Sequence, residues 1–168
     1  VRDSLRRLTL ERLSAVDHAL VSHRFFREES IAALKQQPGY EEKYSREAPA
    51  LVFPASVERR RTGDDASAQS MTRASGVTLY GCDDRLWKGA LDPQGLPAAT
   101  ADGIVLNSKL AAELRAKVGD DITVWVELPA TIPRDSLLGG QEGPSSQELR
   151  LKVEGILPAD VMAGRFSL

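Results

Sequence analysis

The most informative stretch of the chain reads GIVLNSKLAAELRAKVGDDITVWVEL and spans residues 103–128. Its first apolar triplet predicts a short buried strand, after which Asn107 or Ser108 can cap a helix. The helix is predicted over Lys109–Lys117, where apolar residues recur on one face. Gly119 then stands where a helix commonly ends in a left-handed residue. The pattern therefore predicts a strand, a helix and a turn in close succession.

Two stretches of alternating apolar and polar residues predict strands on either side of a long irregular segment. Ile122–Leu128 alternates most regularly, and Leu149–Leu157 shows the same period near the end of the sequence. Residues 129–147 between them are rich in proline and glycine and follow no period. Because connections of this length are usually functional or disordered, we expect one of these two roles for the segment.

The first hundred residues predict further helices and strands. Helices are expected over Asp3–Val16, over Phe25–Gln37 and, as a short piece, around Asp83–Trp87. Strands are expected over Asp17–His23, Ala50–Val57 and Gly76–Cys82. Pro54 demotes the second of these strands to a sheet edge or ends it with a bulge. The charged stretch Glu58–Ser70 predicts a mobile loop, and Gly89–Gly103 predicts a second loop.

These elements predict an α+β fold in which strands pack with amphipathic helices, as one domain or as two small lobes. The chain has 168 residues, of which 42% are hydrophobic and 27% are charged, as in ordinary globular domains. Its formal net charge of −2 gives no basic field that would attract nucleic acid. No apolar run approaches the roughly 20 residues that a membrane-spanning helix needs.

The residue types that carry most catalytic and metal chemistry are sparse. His18 and His23 are an odd number of residues apart, so a regular strand would point them to opposite faces and away from a shared metal ion. Cys82 is the only cysteine, and the carboxylates of Asp83 and Asp84 beside it would raise the pKa of its thiol. We therefore interpret Cys82 as a small strand residue and expect no metal site.

Charged clusters and glycines also have plain structural interpretations. Paired aspartates occur at residues 64–65, 83–84 and 120–121, where turns are expected. The run Arg59–Arg61 is followed closely by the first of these pairs and has no interleaved aromatics, which favours a solvated loop over a phosphate site. No glycine-rich phosphate loop or nucleophile elbow is present. We therefore predict no enzymatic activity, no catalytic residue and no cofactor.

Four strings of residues, taken in order, carry a resemblance to a known family. They are residues 19–28 (ALVSHRFFRE), residues 75–87 (SGVTLYGCDDRLW), residues 103–122 and residues 153–157 (VEGIL). In this order and spacing they resemble the periplasmic core domain of MacB- and FtsX-like ABC transporter permeases. The resemblance is nearest to FtsX-like permeases that carry a large extracytoplasmic insertion after their first transmembrane helix.

The resemblance implies a non-catalytic domain on the periplasmic side of a bacterial inner-membrane protein. In such permeases the external domain couples cytoplasmic ATP hydrolysis to movement, or to contact with cargo or a partner, outside the membrane. The implied partner is a cytoplasmic ABC ATPase subunit, reached through the transmembrane helices of the intact protein. A second permease subunit or a periplasmic protein is a further candidate partner, and nucleic acid is not.

The resemblance also implies a division of the chain. Residues 1–16 would be a stalk-like helix that continues from a transmembrane helix, so we expect the chain to be a fragment of the extracytoplasmic core domain. Residues 17–100 would form a first lobe, and residues 101–160 a second lobe that carries the loop 129–147. This loop is not part of the shorter macrolide-exporter pattern.

Irregular exposed segments carry function more often than the scaffold, so we expect partner contact in the loop 129–147 and also in residues 58–70. The candidate contact residues are Ile132, Arg134, Asp135, Leu137 and Leu138. Two alternatives stay open from the sequence. One is a free-standing soluble module that binds a ligand or a protein. The other is a hydrolase in which His18 or His23 meets a serine or a carboxylate in a pocket.

Overall fold

The computed structural model describes residues 16–22, 25–27, 29–60, 71–91, 96, 98–127 and 146–159. The helices are α1 (Glu29–Lys35), α2 (Tyr40–Lys43), α3 (Asp84–Leu86) with the π-helical turn Trp87–Leu91 that continues it, and α4 (Ser108–Leu114). The strands are β1 (Ala50–Arg60), β2 (Met71–Cys82), β3 (Gly103–Asn107), β4 (Asp121–Glu127) and β5 (Ser146–Leu157). The predicted α+β class is confirmed.

The five strands form one sheet in the order β2-β1-β4-β5-β3. Neighbouring strands are antiparallel except β3 and β5, which run parallel. Segments 17–100 and 101–160 both contribute to this sheet, because β1 pairs with β4 over Ala55–Glu58. The two segments are therefore joined by backbone hydrogen bonds between these strands.

The main core lies between α4 and one face of the sheet. Strand β4 alternates buried and less buried residues along its whole length, which confirms the strand predicted there. Leu114 of α4 packs with Val124 and Val153 of the sheet, and each of these three side chains is fully buried. Burying an aliphatic side chain of this size stabilises a fold by about 1.5–3 kcal/mol. The stretch 103–128 therefore supplies much of this core.

Helix α4 begins as predicted but ends earlier. The Asn107 side chain accepts a hydrogen bond of 2.8 Å from the Leu110 N–H, so Asn107 is the cap. The helix stops at Leu114, three residues before the predicted end, because Arg115 adopts a left-handed conformation with φ of 52°. Gly119 is also left-handed, with φ of 95°, but it lies in the following turn rather than at the helix end.

A bulge in β5 places residues of one strand in two different cores. Val153 and Leu157 are four residues apart, so a regular strand would point both to one face. The register of β5 against β3 shifts between Ile104 and Val105, and Glu154 is the extra residue. As a result Val153 packs in the main core, whereas Leu157 packs in a second core on the other face.

The second core surrounds α3 and its π-helical turn. Its buried members are Leu86, Trp87, Leu91 and Leu157. The Trp87 indole N–H donates a hydrogen bond of 2.9 Å to the Leu96 carbonyl, so the only polar atom of this side chain is satisfied. Ala50 and Cys82, which pair at the shared end of β1 and β2, pack against this cluster. The second core therefore anchors that end of the sheet.

Strand β1 is longer than predicted and is not an edge strand along its whole length. Glu58–Arg60 continue the strand, so the predicted loop 58–70 begins later than expected. Pro54 pairs with Thr78 of β2, while the pairing with β4 starts only at the next residue. No bulge ends β1 at Pro54, so that alternative is wrong; the bulge between these strands has its extra residue on β2, beside Gly76, whose φ is 68°. Pro54 is thus at a local edge, where its missing N–H is tolerated.

The N-terminal part departs most from the prediction. Residues 17–22 form no strand, so the strand expected over Asp17–His23 is wrong in its described part. The helix expected over Phe25–Gln37 is present but covers only Glu29–Lys35. The β2 and β5 strands both begin earlier than predicted. The predicted helix over residues 3–15 lies outside the described residues, as do residues 61–70 and 128–145.

Glu154 closes the turn that precedes β3. Its carboxylate accepts a hydrogen bond of 2.8 Å from the Thr100 N–H and another from the Thr100 hydroxyl. These bonds hold the pKa of Glu154 below its usual value of 4.5. A Cβ at Gly103 would meet the same carboxyl group, which would have to move away and give up its bonds to Thr100.

We expect Gly103→Ala to destabilise the fold, because the added methyl group displaces the Glu154 carboxylate and breaks both bonds to Thr100.

The folded-state pKa of Glu154 is lowered, so the contribution of its carboxylate to stability is complete above the unfolded-state pKa. That contribution is lost as pH falls through the folded-state pKa. Glu154→Gln should therefore flatten the loss of stability as pH falls below the usual carboxyl pKa. Urea unfolding followed at each pH measures both effects.

The matched control for Gly103→Ala is Gly89→Ala, since a Cβ at Gly89 meets only the Arg46 guanidinium at 3.7 Å. The control should unfold at the wild-type urea concentration or slightly above it, because alanine is favoured over glycine in a helical turn. Equal stability of Gly103→Ala and Gly89→Ala would contradict the described placement of Glu154.

Candidate functional site

The five candidate contact residues, from Ile132 to Leu138, lie outside the described residues. The expected contact region in residues 61–70 lies outside them as well. Partner contact through these segments therefore stays a prediction. Glu58–Arg60, the described part of the second region, belong to β1 instead.

Cys82 ends β2 and is half-buried beside the second core. Burial raises the pKa of the Cys82 thiol, and the charges of Asp83 and Asp84 raise it further. A protonated thiol is a weak nucleophile, so the geometry agrees with the interpretation of Cys82 as a small strand residue. The sequence identified the two carboxylates but not the burial, which is the larger cause.

The histidines do not meet other ligand side chains in the described part of the chain. The His18 ring contacts the Tyr44 ring edge-to-face, with 5.5 Å between the ring centres. His23 lies outside the described residues. Among the described residues, no group of three His, Cys, Asp or Glu side chains is placed to hold a metal ion.

The aspartate pairs that the structure describes stabilise local turns. Asp83 caps α3 by accepting a hydrogen bond of 2.9 Å from the Arg85 N–H, and Arg85 also holds the pKa of Asp83 below its ordinary value. Asp84 forms an ion pair of 2.7 Å with Lys88, one helical turn further along. Asp120 accepts a hydrogen bond of 2.7 Å from the Lys117 N–H. These contacts match the turn roles predicted for the pairs.

Arg59 has a structural role in the described fold. Its guanidinium forms an ion pair of 2.9 Å with Asp120 and donates a hydrogen bond of 2.8 Å to the Arg115 carbonyl. Only 15% of the Arg59 side chain is exposed. The guanidinium therefore ties β1 to the end of α4 and to the turn that leads into β4. Arg59 was predicted to lie in a solvated loop, and that prediction is wrong for this residue.

We expect Arg59→Met to lower the free energy of unfolding by about 1–2 kcal/mol, because it removes the bonds to Asp120 and to the Arg115 carbonyl. Asp120→Ala should cost a similar amount. The double variant should cost clearly less than the sum, since both single changes break the same ion pair. Urea unfolding of the three variants gives this coupling, and strictly additive costs would contradict it.

The described residues form an open cleft that we call the β1 cleft. It is about 2200 Å³ in volume and is open to solvent. Residues 16–22, 25–26 and 44–54 line it, together with parts of α1 and α2, residues 37–39, 81–83, 85–86 and 89, and Glu127. The cleft therefore lies between residues 16–22 and 25–26 on one side and the start of β1 on the other.

Apolar side chains are concentrated in the β1 cleft. Ten large apolar side chains are exposed in the described part of the chain, and eight of them line this cleft. The eight are Leu20, Val21, Phe25, Phe26, Leu34, Tyr44, Leu51 and Val52. Contiguous exposed apolar surface commonly marks a site of interaction with another molecule. The arrangement suits binding of an apolar partner.

Sequence reasoning did not identify the β1 cleft, because it is assembled from segments that are far apart in the chain. One local signal was present. Residues 51–53 are three consecutive apolar residues at the start of a strand, so both faces of the strand are apolar there. Such a run indicates that both faces meet apolar surroundings.

Comparison with known proteins adds no assignment. No protein-family model matches the chain, and no curated protein matches it. Within the part of the chain that the structure describes, no helix is both long enough and apolar enough to cross a bilayer.

Proposed function

We propose that this chain is a non-catalytic extracytoplasmic domain of a bacterial ABC transporter permease of the MacB- and FtsX-like kind. The domain lies on the periplasmic side of the inner membrane. It couples ATP hydrolysis by a cytoplasmic ATPase subunit to movement, or to contact with cargo or a partner, outside the membrane.

The observation that carries the proposal is the position of the resembling strings within the fold. Residues 103–122 form β3, α4 and the start of β4, which supply the helix over the main core. Residues 75–87 cover most of β2 and the start of the second core, and residues 153–157 form the end of β5. Three of the four resembling strings therefore lie in residues that build the body of the domain, whereas residues 19–28 are exposed where the structure describes them.

The packing also suits a domain that transmits motion. A transmitting body has to move as one unit, because a soft body would absorb the displacement. Here one sheet carries a core on each face. Because of the β5 bulge, Val153 packs in the main core and Leu157 packs in the second core. The ion pair between Arg59 and Asp120 adds a tie between β1 and β4.

The first test is the sequence of the full-length parent protein. A permease domain requires an apolar segment of about 20 residues before residue 1 and further such segments after residue 168. The intact protein should then co-purify with an ATPase subunit from membranes. A parent chain without membrane-spanning segments would overturn the proposal.

A second test concerns the long loop in the intact protein. Deleting residues 133–143 should leave the domain folded, because the deleted segment lies between β4 and β5 and outside both strands. Transport by the intact protein should fall if the loop contacts a partner. Unchanged transport would remove the loop from the proposal.

A second candidate function is a free-standing module that binds a ligand or a protein. The apolar side chains of the β1 cleft favour it, because they suit binding and need no membrane. The parent sequence separates the two candidates, since only the permease requires membrane-spanning segments around the domain.

A further inference from the structure

We draw no further inference here: the strongest candidate, the patch of exposed apolar side chains in the β1 cleft beside the start of β1, carries none, because nothing in the part of the chain that the structure describes shows what covers it.

Discussion

Leu114→Ala is expected to lower the free energy of unfolding by about 3–5 kcal/mol. Leu114 is the last residue of α4 and is fully buried against the sheet. Its neighbours cannot easily close the resulting cavity, because the left-handed Arg115 fixes the end of the helix and Arg59 bonds to the Arg115 carbonyl. We therefore expect a cost near the upper part of the range for leucine-to-alanine changes.

The measurement is urea unfolding with circular dichroism as the signal. Val118→Ala is the matched control, because Val118 lies four residues further along and is 61% exposed. The control should change the free energy of unfolding by less than about 0.5 kcal/mol. A cost below about 1 kcal/mol for Leu114→Ala would show that α4 does not pack on the sheet as described.

The sequence predicted the elements whose signals are local. Strand β4 alternates apolar and polar residues without interruption, and the helix before it carries its own cap at Asn107. Both were predicted at nearly the correct positions. The end of that helix was predicted three residues too late, because the conformation of Arg115 is supported by the Arg59 side chain, 56 residues earlier. A contact at that separation leaves no signal near residue 115.

Charge misled the prediction at the end of β1. Glu58 and Arg59 were assigned to a loop because charged residues without apolar periodicity are typical of loops. In the sheet, Glu58 forms an ion pair of 3.4 Å with Arg73 on the neighbouring β2 strand, and Arg59 pairs with Asp120. Cross-strand pairs of opposite charge are compatible with strands, but their partners are not identifiable from one sequence.

The candidate site shows the same division between local and long-range information. The two carboxylates that raise the pKa of the Cys82 thiol are its sequence neighbours and were identified, whereas the burial that raises it most was not. The β1 cleft was not predicted, because its walls come from the N-terminal segment, α1, α2 and β1 together. The point where β4 stops pairing with β1 was not predicted either, because strand register is fixed by the whole sheet rather than by local sequence.

Trp87→Ala is expected to cost about 3–5 kcal/mol, because it removes the largest side chain of the second core. Trp87 is 8% exposed and packs with Leu86, Leu91 and Leu157. Trp87→Phe keeps most of this packing and loses the hydrogen bond to the Leu96 carbonyl, so it should cost only about 1 kcal/mol from that bond. Urea unfolding of the two variants separates the packing from the hydrogen bond.

The same variants test whether the second core holds the end of the sheet beside the β1 cleft. Ala50 and Cys82 pair at that end and pack against the Trp87 cluster, so Trp87→Ala should speed amide exchange there more than at β4. Trp87→Phe should change the amide exchange rates by the same factor at the Ala50–Cys82 end and at β4. Uniform acceleration across the sheet by Trp87→Ala would contradict a local anchor and would mean that the two cores unfold together. A local effect would instead show that the floor of the cleft depends on the second core, while the main core keeps β4 in place.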